Sequence, residues 1–276
     1  MTVGLAKHSP DMPRVEPYFR EAGAGRGVVC LHSNASNGNQ WRSLMELLAA
    51  DHHVLAPDLY GAGKSPDWHS DREIRLSDEV RFIEPVFARA GEHFSVIGHS
   101  YGGAVALIAA LENPKRIRSL VLYEPTLFSL VADRHPPVGS VEGIQNAVHG
   151  ASTALDAGDR NAAAEHFIDF WMGKGTWQAM PGSRKGPIAE SVVNVRRWSH
   201  ALLNEPTRLE AFASLDMPVL YLMGQESPES ARAVERVLSP VMPNVEVSRV
   251  AGWGHMAPIT HSEAVNARIA EFLRKT

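Results

Sequence analysis

The chain has 276 residues, 44% of them hydrophobic, which is enough for one large domain with a full core. Its 27 basic and 31 acidic residues give a net charge of -4 and are interspersed, which argues against a nucleic-acid partner. Cys30 is the only cysteine, so no intramolecular disulfide can form, and its place in the apolar run GVVCLH predicts a core residue.

The stretch MTVGLAKHSPDMPRVE carries prolines and charged residues where a secretory signal needs a continuous apolar run. No later segment has the roughly 18 uninterrupted apolar residues that span a bilayer. We therefore expect a soluble, cytoplasmic protein with no membrane partner. The sequence does not decide between a monomer and a homodimer.

Short apolar runs alternate with longer segments of helical period, a pattern typical of parallel strands joined by crossover helices. The predicted strands are 28–32, 53–57, 94–98, 119–123, 218–223 and 245–250. The predicted helices between them are 41–50, 76–90, 102–111, 230–238 and 262–273. Pro85 is expected to kink the helix 76–90.

This alternation stops after Glu124, and no strand-like run returns until Met217. We predict that residues 125–209 form a helical cap and that residues 1–124 and 210–276 form the core. The predicted cap helices are 140–155, 160–171 and 191–203, and 173–186 is predicted as turns.

Apolar side chains of the cap segment are candidates for a substrate pocket. They are Phe128, Trp171, Trp177 and Trp198. Packing of the cap onto the core would explain the tryptophans equally well, so both interpretations stay open.

The strongest chemical signal is the segment Gly98-His99-Ser100-Tyr101-Gly102-Gly103, which lies between the predicted strand FSVI and the predicted helix AVALIAAL. A G-x-S-x-G motif in this context presents a serine on a sharp turn between strand and helix. Small neighbours let the backbone make that turn. Ser100 is therefore the predicted nucleophile.

Four segments in order, LHSNASNGNQW, DLYGAGKS, GHSYGG and AGWGHMAP, make the chain similar to capped serine hydrolases of the α/β-hydrolase superfamily. The resemblance covers nearly the whole chain. It implies an α/β fold in which helices flank a mostly parallel central sheet, with a helical cap inserted after the sixth strand. It also implies that His255 is the general base, which agrees with the need of a serine hydroxyl for a neutral imidazole.

The resemblance places an oxyanion hole at the backbone N–H of Tyr101 and at a second N–H in the loop after His32, for which Asn34 is the candidate. The chain departs from its relatives here, because Ser33 stands where they usually have glycine. We expect structural roles for two other histidines: His32 orients this loop and His99 packs behind the nucleophile.

The sequence offers more than one candidate for the acid that completes a catalytic triad with Ser100 and His255. Relatives usually place an aspartate three residues after Gly224, but this chain has Ser227 there. Some families with this fold take the acid from the end of the preceding strand, where this chain has Glu124. We favour Glu124, keep Glu226 as the alternative acid, and rank Glu229 below both.

A serine nucleophile predicts acyl chemistry. We therefore expect a carboxylesterase-like enzyme that hydrolyses a small apolar or aromatic ester. We expect it to prefer an aromatic or medium-chain acyl group over a strongly charged one. The main alternative is carbon–carbon bond hydrolysis of the meta-cleavage type. Thioester, lactone, amide and perhydrolase chemistry use the same triad. A ligand-binding homologue with weak or no catalysis would need the pocket alone. No metal-ligand cluster or nucleotide-binding fingerprint is visible, so no metal and no cofactor is predicted.

Overall fold

The computed structural model describes residues 16–132 and 140–276. Within them, seven strands form one sheet in the order β1-β3-β2-β4-β5-β6-β7, with β1 antiparallel to β3 and every other pair parallel. The strands are β1 (Phe19–Ala22), β2 (Arg26–Leu31), β3 (His52–Pro57), β4 (Phe94–His99), β5 (Ile117–Tyr123), β6 (Val219–Gly224) and β7 (Val245–Val250).

Helices cover both faces of this sheet and fill the insertion between β5 and β6. In the core they are α1 (Arg42–Leu48), α2 (Leu76–Phe82), α3 (Glu84–Ala90), α4 (Tyr101–Glu112), α11 (Glu229–Leu238), α12 (Ala257–Thr260) and α13 (Ser262–Lys275). In the insertion they are α5 (Ser129–Ala132), α6 (Glu142–Asp156), α7 (Arg160–Met172), α8 (Thr176–Ala179), α9 (Gly182–Ser191) and α10 (Val195–Leu203). Short 3-10 helices occupy Gly38–Trp41, Val192–Asn194, Leu209–Ser214 and Ser239–Val241.

The insertion follows β5, the fifth described strand, rather than a sixth as the resemblance implies. All six predicted strands are present with small changes at their ends. The strand β1 was not predicted, because its four half-buried residues FREA carry no apolar alternation. None of the described helices combines the length and apolar character that a bilayer crossing requires.

One helix prediction and one turn prediction are wrong in detail. The predicted helix 76–90 is two helices that meet at Ile83, and Pro85 lies in the first turn of the second helix, where a proline costs no hydrogen bond. The predicted turn region 173–186 contains α8 and the start of α9. Helix α9 forms despite two glycines and Pro187, because packing against α7 outweighs their poor helix propensity.

The central strands are buried on both faces, as the helices on either side of a parallel sheet require. Side chains alternate between two cores: Val29 and Leu31 of β2 point to one, and Val28 and Cys30 to the other. Cys30 is fully buried, and burial raises the pKa of its thiol far above the ordinary value.

Helix α4 approaches β2 so closely that only glycine fits at its second position. The Gly102 N–H donates to the His32 carbonyl oxygen at 3.1 Å, and a Cβ on Gly102 would overlap the Leu31 carbonyl oxygen and lie 2.5 Å from that of His32. This contact joins the start of α4 to the loop that follows β2.

We expect Gly102→Ala to lower the free energy of unfolding by about 1–3 kcal/mol, because the new methyl group meets backbone that cannot yield. Gly182→Ala is the matched control. It also lies in the first turns of a helix, but a Cβ there would have no neighbour within 4 Å. Urea denaturation checks this prediction, and equal stability of the two variants would contradict it.

Candidate functional site

Ser100 lies in the one-residue turn between β4 and α4. Its backbone adopts φ +56°, a left-handed conformation that serine rarely takes. Backbone hydrogen bonds hold the turn: the Ser100 N–H donates to the Tyr123 carbonyl oxygen at 3.0 Å, and the Ser100 carbonyl oxygen accepts from the N–H groups of Ala104 and Thr126 at 3.0 and 3.3 Å. The side chain is thereby fixed at the carboxyl end of the sheet with only 4% of the residue exposed.

His255 lies in the loop between β7 and α12, and three contacts fix it. Its carbonyl oxygen accepts from His99 Nε2 at 2.8 Å, and the neighbouring Gly254 carbonyl oxygen accepts from the Tyr123 hydroxyl at 2.8 Å. The Trp171 indole stacks on its ring with centroids 3.8 Å apart. His255 Nε2 then lies 2.9 Å from Ser100 Oγ.

Glu124 is the residue that follows β5, and its carboxylate is fully buried. Its Oε2 lies 2.7 Å from His255 Nδ1. Its Oε1 accepts from the Gly224 N–H at 2.7 Å and from the Ser227 hydroxyl at 2.6 Å. These partners assign the tautomer of His255: Nδ1–H donates to the carboxylate, and Nε2 accepts from the serine hydroxyl.

The structure brings Glu124, and neither alternative acid, to the histidine. Glu226 is exposed, and its N–H donates to the Trp253 carbonyl oxygen at 2.9 Å. Glu229 forms surface ion pairs with Arg232 and Arg236. The segment after β6 therefore supplies a hydroxyl donor, Ser227, to the acid that stands at the end of β5.

Sequence reasoning missed this contribution of Ser227, because it treated the position only as a missing carboxylate. The available signal was a hydroxyl residue at the position where relatives carry their acid. A hydroxyl group at that position lies close enough to the acid that pairs with the histidine to donate a hydrogen bond to it.

The two residues predicted to form the oxyanion hole, Tyr101 and Asn34, both lie beside the nucleophile. Tyr101 is the first residue of α4, so its N–H has no carbonyl partner within the helix. The neighbouring Ser33 amide is already used, because Ser33 N–H and Oγ–H both donate to Gln40 Oε1, at 3.1 and 2.9 Å. Asn34 is the next residue of the loop, and it borders both cavities that reach Ser100.

Gln40 also connects this loop to the histidine. Its Nε2 donates to His99 Nδ1 at 3.1 Å, and His99 Nε2 donates in turn to the His255 carbonyl oxygen. Burial lowers the pKa of His99 well below its ordinary value, which keeps the ring neutral with one donor and one acceptor. His32 is equally buried, and its Nδ1 donates to the Ser33 carbonyl oxygen at 2.8 Å.

Among the cavities lined by residues that the structure describes, two that reach Ser100 stand out. The larger has a volume of about 370 Å³ and is lined mainly by apolar side chains, with His255 on its wall and Arg184 as the charged side chain among the described lining residues. The smaller has a volume of about 20 Å³. Phe167 and Trp171 border both.

Of the four predicted pocket residues, two line these cavities and two do not. Trp171 lines both, and Phe128 lines the smaller. Trp177 is buried, and its backbone N–H donates to the Asp169 carboxylate at 2.8 Å. The Lys185 ammonium lies over its indole ring. Trp198 packs against the Tyr101 ring, with centroids 6.4 Å apart. Trp177 and Trp198 therefore serve packing within the insertion between β5 and β6 and between this insertion and the core.

Within residues 16–132 and 140–276, no cluster of three or more histidine, cysteine, aspartate or glutamate side chains could hold a metal ion. His255 bonds Ser100 through one ring nitrogen and Glu124 through the other. What this arrangement can do is polarise a serine hydroxyl.

The sequence matches a protein-family model described as alpha/beta hydrolase fold over residues 27–262. The 2-hydroxymuconate semialdehyde hydrolase of Pseudomonas sp. (strain CF600) is 23% identical to this chain, in an alignment that spans 97% of this chain and 95% of the relative. The pimeloyl-acyl-carrier-protein methyl ester esterase of Aliivibrio salmonicida is 26% identical, covering 93% and 95%. The structure of a thermophilic esterase from Thermogutta terrifontis, 21% identical, shares the fold with a TM-score of 0.72 over 94% of this chain and 93% of its own.

Glu79 of α2 is a second buried carboxyl group, behind Tyr101. The Tyr101 hydroxyl donates to its Oε1 at 3.0 Å, and the Tyr60 N–H donates to its Oε2 at 3.1 Å. Burial outweighs these hydrogen bonds and raises the pKa of Glu79 to about 8. This carboxyl group therefore holds a proton in the folded protein at pH values where an exposed glutamate is ionised.

We expect Glu79 to lower stability as the pH rises from 6 to 8. The unfolded chain releases the Glu79 proton near the ordinary pKa of 4.5, whereas the folded protein retains it up to about pH 8, so unfolding releases a proton in this range. Buried histidines such as His99 act in the opposite sense but equally in both proteins, so the free energy of unfolding of the wild type relative to that of Glu79→Gln should fall by about 1–2 kcal/mol over this range. Urea denaturation at several pH values checks this, with the exposed Glu226→Gln as control, and parallel curves for all three proteins would contradict it.

Proposed function

Because the chain belongs to the alpha/beta hydrolase family, we propose that it is a serine hydrolase that cleaves carboxylic esters through an acyl-enzyme. The observation that carries the proposal is the continuous chain of hydrogen bonds from Glu124 through His255 to Ser100. Each member is buried, so the chain is shielded from competing water.

In the first half of the reaction, His255 Nε2 takes the Ser100 proton as Oγ attacks the ester carbonyl carbon. The Asn34 and Tyr101 amides donate to the oxygen that becomes negative, and one such donor is typically worth about 3–4 kcal/mol in the transition state. Glu124 stabilises the imidazolium that forms. The imidazolium then gives its proton to the departing alkoxide, which leaves as an alcohol.

In the second half, His255 removes a proton from water as the water oxygen attacks the acyl carbonyl carbon. The same two amides hold the second tetrahedral oxyanion. Its collapse breaks the bond to Ser100 Oγ, which regains a proton from the imidazolium, and the carboxylic acid leaves. Ester and water are thereby converted to acid and alcohol, and the enzyme returns to its starting protonation state.

The cavity walls favour an apolar small-molecule substrate. Residues 125–209 act as the cap, and they supply Phe167, Ile168 and Trp171 to the wall facing Ser100. The mouth is apolar as well, since Met172 and Ile259 are exposed there.

Arg184 favours a second candidate, carbon–carbon hydrolysis of a ring-cleavage product, because such a product carries a carboxylate that an arginine could bind. The family relative named 2-hydroxymuconate semialdehyde hydrolase is consistent with it. The two candidates separate by assay. An esterase cleaves neutral esters in preference to a carboxylate-bearing vinylogous diketone, and a carbon–carbon hydrolase shows the reverse.

A panel of p-nitrophenyl esters tests the triad. We expect the wild type to be active, Ser100→Ala to lose at least about 10⁴-fold in kcat, and Glu124→Gln to lose about 10³–10⁴-fold. Glu226→Gln is the matched control and should stay within about twofold, since its side chain is exposed and away from His255. A larger loss in Glu226→Gln than in Glu124→Gln would refute the acid assignment. A wild type inert on every ester would favour the carbon–carbon or ligand-binding alternatives.

Ser227→Ala tests the support of the acid. Removing a hydroxyl that donates to a buried carboxylate loosens Glu124, so kcat/KM should fall about tenfold. Ser227→Thr keeps the hydroxyl and should restore kcat/KM.

The control is Ser230→Ala, which removes a hydroxyl that is equally buried but has no hydrogen-bond partner among the described residues. If Ser230→Ala and Ser227→Ala behave alike, Ser227 has no part in positioning Glu124.

A further inference from the structure

The two cavities at Ser100 differ in their position relative to His255. His255 lines the larger cavity of about 370 Å³ and is not among the described residues that line the smaller one. Ser100 and Asn34 line both. The nucleophile and the predicted oxyanion loop therefore stand at the junction of the cavities, and the general base stands on one side of it.

Proton transfer determines which half of an ester occupies each cavity. In an acyl-transfer reaction the imidazolium must reach the leaving oxygen, so the alcohol half lies on the side of the histidine. With the carbonyl oxygen directed at the amides and the carbonyl carbon at Ser100 Oγ, the acyl substituent is left to the other side. In this protein, the other side is the smaller cavity.

The smaller cavity is too narrow for a long chain. Its volume of about 20 Å³ slightly exceeds the roughly 10–15 Å³ that a single water molecule needs. Its walls are mainly apolar and belong to tightly packed helices: Ile144 of α6 and Leu202 of α10 are each 3% exposed. An apolar group of one or two carbon atoms matches both its size and its lining.

We propose that the substrates are esters of a short acyl group, acetyl or propionyl, with a larger apolar alcohol. The proposal rests on the proposed ester hydrolysis and deepens it. The short acyl group enters the smaller cavity, and the alcohol half occupies the larger one beside His255. This proposal replaces the expectation of a medium-chain acyl group. The preference for apolar groups now concerns the alcohol half of the ester, and the limit on size concerns the acyl half.

The test measures kcat/KM for p-nitrophenyl esters of increasing acyl length, each divided by its rate of alkaline hydrolysis to remove intrinsic reactivity. We expect the ratio to fall at least about tenfold from propionate to hexanoate, since one misfitting methylene in an apolar pocket typically costs tenfold or more. In a second series of acetates, 1-naphthyl acetate should be cleaved at least as well as methyl acetate relative to alkaline hydrolysis.

Two variants locate the limit in the smaller cavity. Val148→Ala and Leu203→Ala each remove methyl groups from partly buried residues of its wall, and each should raise the hexanoate-to-acetate ratio about tenfold. Val237→Ala is the matched control. Val237 is also a partly buried helical valine but lines neither cavity, so the ratio should not change.

The outcomes separate the two proposals. If the wild type cleaves esters but prefers hexanoate to acetate, or if both wall variants match Val237→Ala, the acyl-size assignment is wrong and the esterase proposal stands. If the wild type cleaves no ester of either series, including the acetates, the esterase proposal itself fails and the acyl-size assignment fails with it.

Discussion

The Glu124 carboxylate is the group on which the rest of the site depends. One oxygen faces His255, and the other is bonded by donors from Gly224 and Ser227 at the end of β6. Burying a carboxylate without hydrogen-bond partners is costly, so these contacts stabilise the buried Glu124 side chain in its position beside the imidazole. They also tie together three adjacent strand ends, those of β4, β5 and β6, around one hydrogen-bonded chain.

The backbone carries strain at the same place. Three non-glycine residues of the described chain have a positive φ, and they are Ala35, Ser100 and Glu124. Each adjoins the site, one in the loop after β2 and two at consecutive strand ends. Conformations of this kind cost of order 1–3 kcal/mol each and persist where the surrounding structure enforces them. Here the enforcing contacts are two backbone hydrogen bonds, from the Ser100 N–H to the Tyr123 carbonyl oxygen and from the Glu124 N–H to the Leu222 carbonyl oxygen, and the close approach of α4 to β2.

The sequence was sufficient for the fold and for the location of Ser100, because strand, turn and helix signals around GHSYGG are local. It was not sufficient to choose the acid. Glu124 and Glu226 both follow a strand, and only tertiary structure decides which carboxylate turns inward. The same holds for two tryptophans of the insertion between β5 and β6. Trp171 and Trp177 lie in neighbouring helices, yet Trp171 stacks on His255 and Trp177 packs within the insertion. Helix α9 was missed because its stability comes from neighbours rather than from its own residues.

The central claim is that Glu124 holds the His255 imidazole in the tautomer that leaves Nε2 free for Ser100. Proton NMR of protein labelled with ¹⁵N-histidine tests it directly, because a ring N–H donating to a buried carboxylate resonates far downfield and exchanges slowly. We expect such a signal from His255 Nδ1–H in the wild type and in Glu226→Gln, and its loss or large upfield shift in Glu124→Gln. An unchanged signal in Glu124→Gln, or its loss in Glu226→Gln, would show that Glu124 does not hold the imidazole in this tautomer.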